Sequence, residues 1–117
     1  MAGVVATSTG MSIAEALLNT PGLTVVDFTA RWCGPCKQLA PVLHEVEKEY
    51  AGRARVVAVD TDDEPVLAQA FRVTAMPTVV LLRDGREVGR FVGARPKKFV
   101  VGVLERALAG DVAIAAP

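Results

Sequence analysis

The sequence predicts an α/β domain whose mixed central β-sheet is flanked on both faces by helices, in the order β-α-β-α-β-α-β-β-α. Three observations carry that prediction. Two apolar, β-branched-rich runs, Leu23–Thr29 and Arg55–Asp60, are separated by a long stretch of helical periodicity, the pattern of parallel strands joined by a crossover helix. Thr78–Leu82 and Glu87–Val92 flank Asp84-Gly85, a short-hairpin signal for an antiparallel pair. Pro96–Leu108 follows with an apolar stripe that must pack back on the sheet to be buried.

Each element has its own signal. Val4–Thr7 suits a short edge strand. Ser12–Leu18 reads as a helix with Ile13, Ala16 and Leu17 on one face, ended by Asn19-Thr20-Pro21-Gly22. Leu23–Thr29 is continuously apolar apart from Asp27 and its threonines, as expected of a strand covered on both faces. A helix follows from about Pro35 to Tyr50, burying Leu39, Val42, Leu43, Val46 and Tyr50. Pro41 lies inside it and should kink it, because proline offers no N–H to the carbonyl of Lys37. Arg55–Asp60 reads as another buried strand. Asp62 or Asp63 can cap a helix running through Phe71, with Pro65 near its first turn. The last helix presents Val100, Val103, Leu104, Ala107 and Leu108 on one stripe and is terminated by Gly110. Residues 1–117 are expected to form one domain, with 1–3 and 110–117 loosely held.

Composition narrows the function classes. At 117 residues and 51% hydrophobic, the chain can bury one core without help from metal or cross-links. Thirteen basic and thirteen acidic residues balance to zero, so no basic stripe favours nucleic acid or an anionic membrane surface. Aromatic residues are only 5%, too few for a single-strand stacking platform. Met1–Gly10 lacks the positive charge and apolar stretch of a secretory signal, and no apolar run is long enough to span a membrane. The expectation is a cytoplasmic monomer. In that reducing compartment a Cys-x-x-Cys pair is more often catalytic or metal-binding than structural.

The chain's two cysteines, Cys33 and Cys36, lie in Trp32-Cys33-Gly34-Pro35-Cys36-Lys37. Structural zinc requires four ligands, yet the only histidine is His44, set among Glu45, Glu47 and Lys48 on a charged helix face, so no metal is expected. A purely structural disulfide across two residues closes a tiny loop and removes little unfolded-state entropy. Reversible dithiol–disulfide chemistry is the remaining use. Cys33 falls at the amino end of the helix, where unpaired N–H groups and the dipole favour a thiolate. Cys36, three residues on, tilts back toward it. This assigns Cys33 as attacking nucleophile and Cys36 as resolving thiol. Gly34 leaves room for a partner's backbone, and Pro35 supplies a preset early-helical φ. Asp27, within Val25-Val26-Asp27-Phe28-Thr29, should have a raised pKa if buried; strand alternation alone leaves a solvent-facing or merely structural carboxylate equally open.

These residues, together with Pro41, Met76-Pro77-Thr78, Asp84-Gly85 and Val92-Gly93-Ala94, resemble the thioredoxin family from about Val4 to Ala109. The resemblance implies the thioredoxin fold and a general protein-disulfide reductase acting on disulfide-containing target proteins. It implies no bound cofactor, with NADPH serving only indirectly through a thioredoxin reductase. It further implies a cis Met76-Pro77 bond and makes Asp27 the buried acid beneath Cys36, a general base for that thiol. Trp32, Gly34, Pro35, Met76, Pro77 and Gly93 become the substrate-binding surface, where the backbone of Met76 is open to strandwise pairing. Two positions depart from the pattern. Thr29 stands where members commonly carry tryptophan, and Ala58 where many bacterial members carry lysine near the buried acid.

A nucleophile pKa near 7 is the family's own value and enters only with the resemblance. Relative to about 8.5, it raises the thiolate fraction at neutral pH from roughly 3% to roughly half. Nucleophilicity falls by roughly fivefold in return, leaving a gain of about threefold to fourfold. Holding a second thiol beside the first must contribute more, since it makes resolution intramolecular. Two competing readings use the same fold. A disulfide oxidase or isomerase usually carries histidine between its cysteines, against Gly34-Pro35 here. A binding or chaperone-like module would keep its activity when both cysteines become serine.

Overall fold

Alternation along the first strand organises the molecule. The computed structural model describes residues 12–110; the expected strand at Val4–Thr7 and the tail beyond Gly110 lie outside the described residues. The elements are α1 (Ile13–Asn19), β1 (Leu23–Thr29), α2 (Gly34–Glu49), β2 (Ala54–Asp60), α3 (Pro65–Ala70), β3 (Thr78–Arg83), β4 (Arg86–Val92) and α4 (Lys97–Leu108). The four described strands form one sheet in the order β2-β1-β3-β4. β1 pairs with β2 in parallel, and β1–β3 and β3–β4 are antiparallel. The sheet is mixed, as the alternating first half and the hairpin require.

Successive β1 side chains point to opposite faces, and two cores result. Leu23 and Val25 pack with Leu39, Leu43 and Val46 of α2 and with Val100, Val103 and Leu104 of α4. Val26 and Phe28 pack with Leu17 of α1 and Leu67 and Ala68 of α3. Helices therefore cover both faces. Each fully buried Leu, Val or Phe contributes roughly 1.5–3 kcal/mol, which is why the sheet's centre is the most heavily invested part of the fold.

Local chemistry sets the element ends. Ser12 caps α1 through a capping box with Glu15, each side chain taking the other's backbone N–H. The β3–β4 turn places Asp84 at φ 51° and Gly85 at φ 86°, the doubly left-handed turn whose twist matches a hairpin. Gly85 is also crowded, since an added Cβ would lie 2.1 Å from the Leu18 carbonyl oxygen.

Two expectations are corrected. β2 is not uniformly buried: Ala54 and Arg55 are half-buried and Ala58 is exposed, because β2 is an edge of the described sheet. Neither Asp62 nor Asp63 caps α3, which starts at Pro65 after Glu64 without a side-chain cap and ends at Ala70. The turn is held instead by Asp60, whose Oδ1 accepts the N–H groups of Asp62 (2.8 Å) and Asp63 (3.3 Å). A short side chain two residues back competes well for such donors. Pro41 sits inside α2 on its exposed side, within an unbroken helical run.

Candidate active site

The end of β1 delivers the chain to the mouth of α2. Cys33 is the capping residue of that helix, with extended backbone, and Pro35 occupies its first turn. A disulfide joins Cys33 to Cys36 with Cα atoms 5.3 Å apart, inside the usual range for such a bridge. The Cys33 Sγ accepts the backbone N–H of Cys36 at 3.2 Å. A cap position is where a side-chain acceptor satisfies an otherwise orphaned helical donor, so a sulfur anion here would be met by a fixed dipole. Cys33 and Cys36 are both buried, packing with Ala30 and half-buried Met76. A Cβ added at Gly34 would meet nothing within 4 Å. Crowding within the chain does not demand glycine there, and its absent side chain lowers the surface beside the disulfide.

Trp32 stands beside the bridge, 69% exposed, and its indole Nε1 donates to Asp62 at 2.9 Å. Arg31 braces the same junction, 3.1 Å from Asp60 and 3.4 Å from Asp63. Sequence reading missed these two anchors. Local spacing offers Asp62 and Asp63 as helix caps and Asp60 as a strand end, not as partners some thirty residues away. Opposite, the Met76-Pro77 bond is cis, and Pro77 is buried. The Gly93 N–H donates to the Pro77 carbonyl at 2.9 Å, with Gly93 at φ 99°, a conformation few other residues adopt without strain. The two loops are thereby clamped together.

Asp27 is 7% exposed. On β1 it pairs across to Ala58 and Val79, and alternation with Val25 turns it toward α2. There it lines a cleft with Ala40, one helical turn beyond Cys36. Its Oδ1 is buried without a hydrogen-bond partner. Burial disfavours the anion and pushes the carboxyl up from its ordinary 3.8 to about 6.

The thioredoxin family model matches residues 4–106. The chain belongs to the thioredoxin family. It is 42% identical over 87 residues to a thioredoxin of Staphylococcus saprophyticus, covering 74% of this chain and 84% of that one. A thioredoxin of Staphylococcus aureus is 41% identical over the same shares of each chain. Among solved structures, Fasciola hepatica thioredoxin superposes with a TM-score of 0.70 at 41% identity, covering 75% of this chain and 83% of that one. The oxidized form of mitochondrial thioredoxin 3 from Saccharomyces cerevisiae gives 0.69 at 39% identity, over 76% and 83%.

Membership of the thioredoxin family, with its cysteine pair joined at the helix mouth, makes this protein a thiol–disulfide oxidoreductase whose partners are disulfide-containing proteins. The redox centre is the cysteine pair itself. No helix among the described residues is long and apolar enough to cross a membrane, and no cluster of three metal-ligating side chains occurs among them. His44, the one histidine, is 66% exposed on α2. At the two positions departing from the family pattern, Thr29 is half-buried and Ala58 exposed.

Proposed function

We propose that the protein is a general protein-disulfide reductase, with Cys33 attacking, Cys36 resolving and Asp27 serving as base. The Cys33 thiolate attacks a target disulfide, forming a mixed disulfide and releasing the first target thiolate, which takes a proton from water. Cys36 then gives its proton to Asp27, directly or through water, and its sulfur attacks the Cys33 sulfur. The second target thiolate leaves, and the two electrons that reduced the target come from the two thiols now joined as the Cys33–Cys36 bond. The observation that carries this reading is the Cys33 sulfur at the helix mouth, accepting the Cys36 N–H at 3.2 Å. That dipole stabilises whichever species bears negative charge on Cys33, both the attacking thiolate and the leaving sulfur during re-reduction.

Target proteins dock over Trp32, Gly34, Pro35, Met76, Pro77 and Gly93, a surface whose partly exposed apolar groups border a buried sulfur pair. The oxidised protein is recharged by a thioredoxin reductase drawing on NADPH. The protein works as a cytoplasmic monomer, where that reductant keeps it in the dithiol state.

Insulin reduction coupled to NADPH oxidation by a thioredoxin reductase tests the proposal. Wild type turns over, whereas Cys33→Ser and Cys36→Ser do not. Cys36→Ser accumulates a mixed disulfide through Cys33, visible on non-reducing gels; turnover by either variant refutes the assignment.

A further inference from the structure

The face of α2 that begins at the redox centre continues down into a cleft. Cys36, Ala40, His44 and Glu47 recur at helical spacing. The last three line, with Asp27 and Ala58, an open cleft of about 170 Å3. At its floor is the carboxyl of Asp27, a residue more than nine-tenths buried whose Oδ1 has no hydrogen-bond partner. At its rim is His44, with Nδ1 3.9 Å from Glu47 Oε1. The strand side contributes no charge: the cleft residues of β2 are apolar, and the β3 partner of Asp27 is Val79. His44 and Glu47 on α2 are thus the titratable groups that share the cleft with Asp27.

We infer that this cleft is the route by which Asp27 exchanges its proton with solvent, and that His44 is the acceptor at its mouth. Its catalytic meaning rests on the proposed base role of Asp27. The proton that Asp27 takes from Cys36 in the resolving step either returns to Cys36 on re-reduction or passes to solvent, and the cleft serves the second path. A cleft of this volume has room for several waters at roughly 30 Å3 each, enough for a hydrogen-bonded chain from the Asp27 carboxyl to the rim. Imidazole suits the rim because one ring nitrogen accepts a proton while the other releases one. Glu47 lies where it can hold the transient imidazolium. The small side chain of Ala58 keeps the strand side of the mouth open. No bond other than those to the proton changes, and no electrons move.

The test follows the Asp27 carboxyl carbon by NMR through its titration, where exchange broadening reports proton on and off rates. His44→Ala and Ala58→Leu both alter exposed positions and leave the fold intact. Each is expected to slow exchange at least threefold, and added imidazole restores the rate in His44→Ala but not in Ala58→Leu. Unchanged exchange in both variants overturns the route; slowing in Ala58→Leu alone overturns the assignment of His44. A separate arm measures mixed-disulfide resolution in Asp27→Asn. Unimpaired resolution there removes the base role while leaving the proton route to stand on the exchange data.

Discussion

Burying Asp27 without a partner should cost stability, and the cost should depend on pH. The carboxyl rises from 3.8 to about 6 because burial disfavours its charge. At about 1.4 kcal/mol per pH unit, that rise is worth roughly 3 kcal/mol. The sign follows from linkage. Between the two values the folded protein holds a proton that the unfolded chain has lost, so folding weakens as pH rises through this window. Below about 3.8 both states are protonated, and above about 6 the full penalty applies. Asp27→Asn removes the titration while nearly keeping the shape. The variant's stability relative to wild type should therefore increase by roughly 3 kcal/mol between pH 3.5 and pH 7.5. With a urea slope of about 1.5 kcal/mol per molar, the relative midpoint shifts by about 2 M. Urea melts of both proteins across that range, taken in the oxidised state, measure the difference, and contributions from other titrating groups cancel. A difference that stays flat with pH, or grows toward acid, refutes the argument that desolvation dominates at Asp27.

Other outcomes follow from single contacts. Phe28 is fully buried against Phe71, with ring centroids 5.4 Å apart, so Phe28→Ala should cost about 3–5 kcal/mol in a denaturant melt. Gly85→Ala should cost at least about 2 kcal/mol in the same assay, because its Cβ would meet the Leu18 carbonyl in a left-handed turn. Asp62→Ala releases the Trp32 indole from its 2.9 Å bond. Time-resolved anisotropy of this sole tryptophan should then show faster local motion, with global stability unchanged within about 0.5 kcal/mol.

Most of the described elements, the hairpin and the cysteine pair could be read from the residues alone, because each is written in local spacing. β1 was legible to the residue, since a strand covered on both faces leaves a β-branched-rich, largely apolar run between turn signals. Asp84-Gly85 announced the hairpin by chemistry that few other dipeptides supply. The two cysteines, three apart before a helical pattern, already specified a bridge at a helix mouth. Whatever depends on partners distant along the chain was settled by folding instead. Only the sheet order made β2 an edge of the described strands and left Ala58 exposed, and only the β1–α2 packing turned Asp27 inward without a donor. Asp62 and Asp63 looked like helix caps and Asp60 like the end of a strand, and together they anchor Trp32 and Arg31. Spacing encodes periodicity and turn geometry, whereas burial and long-range pairing follow from which surfaces meet once the sheet has formed.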